Sequence, residues 1–220
     1  MIKRVQIPER LWGSYFIKRP PEEAAEKKVI LLLHGYSEAG EYFYNKLKDH
    51  IPQDVTVVSP DGPFFVPVQT DNGYRAGHSW YFYDPRTDEY IVDMKLARQY
   101  ISEIFKVEEL LKHPESALTI VGYSQGGYLA PFIGLDHPQA HRVIGLSCQF
   151  LVDEFESLPS FQMTAIHGIK DDVVEIAGAE KSIEKLKDKF ASATMIEVPG
   201  AGHRLDSRIL DALKNCFGSK

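Results

Sequence analysis

Six short apolar runs, separated by stretches of helical periodicity, constrain the fold of this 220-residue chain more than any other feature. The first run is continuously apolar and ends at His34-Gly35, which is typical of a strand buried on both faces of a parallel sheet. Strands that alternate with helices predict the α/β class, with a mostly parallel central sheet and helices on both faces. The predicted strands are Val29 to Leu33, Val55 to Val58, Leu118 to Val121, Val143 to Leu146, Met163 to Ile166 and Met195 to Val198.

Five segments between and after these runs have the pattern of helices. In the longest, Tyr90 to Lys112, apolar residues recur with a spacing near 3.6. Before the first run, Lys3 to Ile7 and Tyr15 to Ile17 flank the turn signal Gly13-Ser14, so we expect an antiparallel N-terminal edge built as a hairpin. No linker interrupts the pattern, and we expect residues 1–220 to form one domain. The other predicted helices are Glu38 to His50, Gly126 to Leu135, Ile176 to Phe190 and Leu205 to Phe217.

Charge and composition exclude several classes of function. The net charge is −6 and no block of Lys and Arg is present, so no nucleic-acid partner is expected. The longest apolar run is far too short to span a bilayer, and Met1 to Arg10 lacks the apolar segment of a secretory signal. Cys148 and Cys216 have no metal-ligand spacing and are too few for a disulfide framework. We therefore expect a cytoplasmic protein without stable membrane insertion, metal or cofactor, while both a monomer and a homodimer stay open.

The run Gly122-Tyr123-Ser124-Gln125-Gly126 predicts an activated serine. It lies between the third apolar run and a predicted helix, the context in which Gly-x-Ser-x-Gly forms a sharp strand-to-helix turn. The glycines leave room for that turn, and the helix N-terminus directs N–H groups at developing negative charge. Ser37 is a rival, since it also follows a buried strand. Its second neighbour is Ala39 instead of glycine, and Ser37 followed by Glu38 fits a helix N-cap better.

A serine hydroxyl needs a positioned base, and His203 is the best candidate. It ends the glycine-rich segment Gly200-Ala201-Gly202-His203, which follows the last predicted strand. The chain order serine, acid, histidine places the acid between Ser124 and His203. Asp171 and Asp172 both follow the fifth strand, and their adjacency leaves the choice between them open. Asp153, after the fourth strand, is a third candidate.

The segment His34-Gly35-Tyr36-Ser37, after the first strand, predicts one part of an oxyanion hole. Backbone N–H groups in this loop and directly after the nucleophile can bind the oxyanion of a tetrahedral intermediate. We assign the N–H groups of Tyr36 and Gln125 to this role. For His34, a structural role as a buried histidine that hydrogen-bonds the loop is favoured over a catalytic one.

Together these motifs resemble the carboxylesterase/phospholipase family of α/β hydrolases, which includes acyl-protein thioesterases. They run in the family's order over almost the whole chain, and Gly-x-Ser-Gln-Gly-Gly is more specific than Gly-x-Ser-x-Gly alone. The resemblance implies the α/β-hydrolase fold, and its acid pattern, His-Gly-x-x-Asp-x-x-Val, selects Asp171. The chain departs from the family at Glu175, where proline is usual, and at Tyr36, where the residue is usually small or leucine. The matching segments are Leu33-His34-Gly35, Pro67 to Asn72, Ser79 to Phe82, Gly122 to Gly127, His167 to Val174 and Gly202-His203.

Residues 60 to 83 are unusually aromatic and predict an apolar pocket wall for an acyl or aryl group. The predicted substrate-binding residues are Trp80, Phe64, Phe65 and Tyr81, and the resemblance puts Trp80 first, because the family's matching tryptophan lies close to the active site. The leading hypothesis is hydrolysis of short- to medium-chain carboxylic esters, with a small-molecule ester or thioester as substrate. Acyl-thioesterase or lysophospholipase activity would use the same mechanism. A ligand-binding protein that has lost turnover is a weaker hypothesis, since every triad position is filled.

Overall fold

The computed structural model describes residues 13–20, 27–84, 89–91, 93–189 and 192–218. The predicted strand Lys3 to Ile7, and with it the N-terminal hairpin, lies outside the described residues. The strands are β1 (Tyr15–Lys18), β2 (Lys28–Leu33), β3 (Thr56–Pro60), β4 (Phe64–Thr70), β5 (Gly73–Ser79), β6 (Phe82–Asp84), β7 (Glu89–Ile91), β8 (Ala117–Tyr123), β9 (Ala140–Leu146), β10 (Gln162–Gly168) and β11 (Ala193–Val198). The helices are α1 (Gly40–Leu47), α2 (Lys95–Val107), α3 (Gln125–Asp136), α4 (Ile176–Lys189) and α5 (Ser207–Gly218), with 3₁₀ turns at Lys48–His50 and Val152–Glu154.

The central sheet has seven strands in the order β1-β3-β2-β8-β9-β10-β11. β1 is antiparallel to β3, with Tyr15 opposite Pro60, and every other neighbouring pair in this sheet is parallel. The mostly parallel sheet and its antiparallel edge are therefore confirmed. Because the parallel strands end at the same edge, the loops that follow β2, β8, β10 and β11 can meet in one site.

The side chains of the buried strands explain why helices cover both faces of the sheet. On β2, Leu31 and Leu33 pack into one apolar core, whereas Ile30 and Leu32 pack into another. Helices α2, α3 and α4 complete the first core, and α1 and α5 complete the second. A strand covered on both faces needs apolar residues at every position, which explains the continuous apolar run.

The prediction of one helix from Tyr90 to Lys112 is wrong at both ends. The chain forms β7 first, and α2 begins at Lys95, whose N–H donates to Oδ1 of Asp93 at 3.0 Å. Beyond the end of α2, Glu109 and Leu111 take φ angles of 56°, which a right-handed helix does not allow. The periodicity thus identified the buried face of the helix but not its ends. None of the helices in the described part of the chain is long and apolar enough to cross a membrane.

An antiparallel hairpin, β4–β5, was missed by sequence analysis. Pro67 interrupts β4, and glycines and polar residues interrupt β5, so neither has the regular pattern that identifies a strand. The hairpin is bound to the loop after β2, because the N–H of Ser37 donates to the carbonyl of His78 at 2.9 Å and the N–H of His78 donates to the carbonyl of Glu38 at 2.8 Å. Ser37 is consequently not the N-cap of α1, which begins at Gly40 after Ala39.

Candidate active site

Ser124 lies on a strained turn between β8 and α3. Its φ and ψ angles are 48° and −116°, a conformation that is rare for any residue with a side chain. A Cβ on Gly122 would lie 2.3 Å from the carbonyl oxygen of Gly126, and one on Gly126 would lie 2.2 Å from the carbonyl oxygen of Leu33. Only glycine fits at these two positions, which explains the spacing of the Gly-x-Ser-x-Gly motif. Strain of this kind amounts to about 1–3 kcal/mol and persists where the surrounding structure enforces it.

The structure brings the side chains of Ser124, His203 and Asp171 into one hydrogen-bonded row. Nε2 of His203 lies 3.0 Å from Oγ of Ser124, and Nδ1 of His203 lies 2.9 Å from Oδ2 and 3.1 Å from Oδ1 of Asp171. Because a carboxylate only accepts hydrogen bonds, Nδ1 carries the proton of a neutral ring, and the lone pair of Nε2 faces the serine hydroxyl. This is the tautomer that a general base for serine requires.

Of the three carboxylates that sequence spacing left open, Asp171 is the one beside His203. Its side chain has no exposed surface, and its Oδ1 also accepts the N–H groups of Val173 at 3.0 Å and Val174 at 2.9 Å. Asp172 and Asp153 are exposed, and neither carboxylate forms a hydrogen bond or ion pair with His203 in the described structure. The carboxylate chosen by the acid pattern is therefore also the one that geometry favours.

The predicted oxyanion-hole residues, Tyr36 and Gln125, both line the cavity that contains Ser124. Gln125 is the first residue of α3, a position whose N–H has no partner within the helix. The N-terminus of α3 also contributes partial positive charge at this point. Both residues therefore border the cavity beside Ser124.

The side chain of Gln125 binds the segment Ser79–Tyr81. Its Oε1 accepts the N–H of Trp80 at 3.0 Å, while its Nε2 donates to Oγ of Ser79 at 2.9 Å and to the carbonyl of Tyr81 at 3.2 Å. Trp80 in turn donates its Nε1–H to the carbonyl of His34 at 2.8 Å. These contacts connect α3 to the predicted oxyanion loop and explain why a glutamine follows the serine.

His34 has a structural role in the same loop. Its ring is fully buried, with Nδ1 2.7 Å from the carbonyl oxygen of Gly35 and Nε2 accepting the N–H of Gly62 at 2.9 Å. Burial lowers the pKa of His34 to about 4, so the ring is neutral at neutral pH. Only a neutral ring can donate from Nδ1 and accept at Nε2, as these two contacts require.

A cavity of about 320 Å³ opens beside Ser124. Its volume is at the lower end of the range of about 300–1,000 Å³ that is usual for small-molecule sites. Most of its wall is aromatic or aliphatic, with Glu154 as the one charged side chain among the lining residues. The lining residues are Tyr36, Tyr81, Ser124, Gln125, Tyr128, Leu151, Glu154, Val173 and Val174.

Among the four predicted substrate-binding residues, only Tyr81 lines this cavity. Trp80 has no exposed surface and packs against the ring of His34, with 4.8 Å between the ring centroids. Phe64 and Phe65 lie on β4 and are not among the lining residues, and Phe65 is 75% exposed. The expectation that Trp80, Phe64 and Phe65 form the wall is therefore corrected. The two phenylalanines lie on the β4–β5 hairpin, and the buried Trp80 supports the loop after β2 through its hydrogen bond to His34.

Sequence analysis missed Tyr128, Leu151 and Glu154 of the cavity wall. Tyr128 lies in the first turn of α3, whereas Leu151 and Glu154 follow β9. These residues belong to no recognised motif, unlike Val173 and Val174, which lie in the acid pattern. Burial raises the pKa of Tyr128 above its usual value, so its phenol stays neutral in the cavity wall. Within the described residues, no group of three or more His, Cys, Asp or Glu side chains could hold a metal ion.

Comparisons with known proteins identify the family of this chain. The model of the phospholipase/carboxylesterase family matches residues 16–217. The chain is 24% identical over 214 residues to esterase YpfH of Escherichia coli (strain K12), and this alignment covers 89% of this chain and 83% of that protein. It is 21% identical over 182 residues to acyl-protein thioesterase 1 of Emericella nidulans, and this alignment covers 73% of this chain and 76% of that protein.

Solved structures share the fold over almost their full length. Esterase PE8 superposes with a TM-score of 0.68 and 26% identity, covering 96% of this chain and 99% of that one. Acyl-protein thioesterase 2 of Zea mays superposes with a TM-score of 0.70 and 19% identity, covering 94% and 98%. Since the family match extends over nearly all of the central sheet and its helices, the chain belongs to the phospholipase/carboxylesterase family and is a serine hydrolase with the α/β-hydrolase fold.

Proposed function

We propose that this protein is a carboxylesterase that cleaves short- to medium-chain esters, with Ser124 as nucleophile, His203 as base and Asp171 as the acid that orients it. The observation that carries the proposal is the row of contacts, 3.0 Å from Nε2 to Oγ and 2.9 Å from Nδ1 to the carboxylate. A general base must lie within hydrogen-bond reach of the proton that it takes, and Nε2 does.

The proposed reaction proceeds through an acyl-enzyme. Oγ of Ser124 attacks the ester carbonyl while Nε2 of His203 takes the hydroxyl proton, and the N–H groups of Tyr36 and Gln125 bind the oxyanion. The histidine then gives its proton to the departing alkoxide. A water molecule, deprotonated by the same nitrogen, attacks the acyl carbonyl, and His203 then returns that proton to Oγ of Ser124 as the acid is released.

Labelling with a fluorophosphonate probe tests the assignment of the nucleophile. We expect one covalent adduct, located by mass spectrometry of the digested protein on Ser124. An unlabelled protein would contradict the enzyme mechanism and favour a ligand-binding homologue. An adduct on Ser37 would contradict the choice of serine.

The cavity beside Ser124 predicts a preference for compact acyl groups. Its volume of about 320 Å³ suits a short chain, whereas a long chain must leave part of its apolar surface in water. In a series of p-nitrophenyl esters we expect kcat/KM to be highest for butyrate or hexanoate and at least about tenfold lower for palmitate. A rise of kcat/KM up to palmitate would contradict this prediction.

Thioester hydrolysis is a second candidate function, favoured by the similarity to acyl-protein thioesterase 1 of Emericella nidulans. The acyl-enzyme would be the same and only the leaving group would differ, so the cavity does not discriminate between the two. The two activities are separated by comparing kcat/KM for a butyryl ester and a butyryl thioester, which share the same acyl group. A higher value for the thioester would favour the thioesterase.

Replacing Gln125 by leucine is expected to reduce stability and kcat together. Leucine has a similar volume but leaves the buried N–H of Trp80 without its partner, which lowers the free energy of unfolding by about 1–3 kcal/mol. The same contacts hold the oxyanion loop, so its N–H donor would be displaced but not removed. We therefore expect kcat to fall about tenfold, which is less than the 10²–10³-fold loss on removal of one oxyanion donor. Thermal unfolding and turnover of p-nitrophenyl butyrate measure the two effects.

The matched control is Gln99→Leu, because Gln99 is an exposed glutamine of α2 far from these contacts in the chain. We expect the control to leave both quantities unchanged. If Gln125→Leu behaved like Gln99→Leu, the side chain of Gln125 would have no part in holding the loop.

A further inference from the structure

His167 is a buried histidine beside the proposed triad that the reaction steps above do not use. It is the next-to-last residue of β10. Neither its side chain nor that of Asp171 has exposed surface. Nε2 of His167 lies 3.2 Å from Oδ2 of Asp171 and 2.8 Å from the carbonyl oxygen of Val174. The carboxylate of Asp171 therefore contacts two imidazole rings, those of His203 and His167.

The contact with Val174 determines which nitrogen of His167 carries the proton. A carbonyl oxygen only accepts hydrogen bonds, so Nε2 must be the donor. Nδ1 is buried and has no hydrogen-bond partner among the described residues, so a second proton there would be buried and unsatisfied. His167 consequently carries a single N–H, on Nε2, which donates to the carbonyl of Val174 and lies beside Oδ2 of Asp171.

The N–H of His167 also lies close to the carboxylate of Asp171. Oδ1 accepts the N–H groups of Val173 and Val174, and Oδ2 accepts Nδ1–H of His203. A carboxylate has about four lone-pair sites, and Nε2 of His167, 3.2 Å from Oδ2, is within reach of the fourth. Donors on several sides of the carboxylate favour one orientation toward His203, and they stabilise its negative charge without a counter-ion.

We propose that His167 is a positioning residue that holds Asp171 in the orientation required by His203. It acts through its Nε2–H and touches neither the substrate nor the reacting atoms. The inference rests on the proposed function, because it has meaning only if Asp171 is the acid of the triad.

The variants His167→Asn and His167→Gln test this role as a matched pair. The amide nitrogen of glutamine reaches about as far from the backbone as Nε2, whereas that of asparagine reaches only as far as Nδ1. Only the glutamine variant can therefore donate to Asp171. With p-nitrophenyl butyrate we expect asparagine to lower kcat about 10–100-fold with little change in KM, and glutamine to restore most of the loss.

A double-mutant cycle separates positioning from general support of the fold. Added to Asp171→Asn, the change His167→Asn should lower kcat by less than about threefold more, because the group through which His167 acts is already altered. Circular dichroism and thermal unfolding establish that each variant is folded at the assay temperature. Losses that multiply in the double variant, a His167→Asn enzyme with wild-type kcat, or equal losses in the asparagine and glutamine variants would each overturn the inference.

Different results would contradict the proposed triad and the proposed role of His167. If Asp171→Asn kept the wild-type kcat, the triad assignment would be wrong, and the inference about His167 would be wrong with it. If Asp171→Asn lowered kcat by orders of magnitude while His167→Asn did not, only the inference about His167 would be overturned.

Discussion

Ser124→Ala is expected to lower kcat for p-nitrophenyl butyrate by about 10⁴–10⁶-fold. The alanine variant keeps the N–H groups of Tyr36 and Gln125 but has no hydroxyl for His203 to activate, so the acyl-enzyme cannot form. Residual turnover should come from binding and oxyanion stabilisation alone. Combining Ser124→Ala with His203→Ala should lower kcat little further, because the two side chains act as a unit.

The control for this experiment is Ser37→Ala, which removes the rival serine of the loop after β2. Ser37 contacts the β4–β5 hairpin through its backbone N–H, which alanine retains. We expect kcat to stay within about threefold of wild type, as for most substitutions outside a catalytic unit. A large loss in Ser37→Ala together with a small loss in Ser124→Ala would reverse the assignment of the nucleophile.

Asp171→Asn is the second substitution with a large expected effect, a fall in kcat of about 10⁴-fold. An asparagine amide nitrogen facing Nδ1 of His203 would donate to it and shift the ring proton to Nε2. That nitrogen could then no longer take the proton of Ser124, although the geometry of the site would be preserved. Steady-state kinetics of the purified variant, with thermal unfolding to verify the fold, measure the effect.

Asp172→Asn provides the matched control, since it is the same substitution one residue further along the chain. Asp172 is exposed, and its carboxylate makes no hydrogen bond or ion pair with His203 in the described part of the chain. Its kcat should stay within about threefold of wild type. Reversed effects at the two positions would mean that the acid loop has been assigned one residue out of place.

Local patterns were sufficient to predict the central sheet and the residues of the Ser124 turn. An apolar run such as Val29 to Leu33 records the burial of both faces of one strand, and the glycines around Ser124 record the lack of room for a side chain at the turn. Both leave a pattern within a short stretch of sequence. The hairpin β4–β5 was not predictable in this way, because Pro67 interrupts β4, β5 is rich in glycine and polar residues, and backbone contacts bind the hairpin to the loop after β2.

The cavity wall shows most clearly what local patterns cannot predict. Trp80 was expected to contact the substrate, yet its ring is fully buried because its indole N–H and backbone N–H bind His34 and Gln125. An aromatic residue in a loop has the same appearance in sequence whether it faces a cavity or supports a neighbouring loop. Tyr128 and Leu151, which do line the cavity, carry no motif at all.

By itself, the sequence determined the α/β class, the serine on its turn and the histidine in the last loop, because each depends on short-range periodicity or on the room left by glycine. Spacing alone left Asp171 and Asp172 equal, and the resemblance to the family was needed to choose between them. Only the tertiary structure decided which carboxylate is buried against His203, that His167 contacts it from the other side, and which side chains surround Ser124. These outcomes depend on contacts between residues far apart in the chain, which exist only once the strands have been placed side by side.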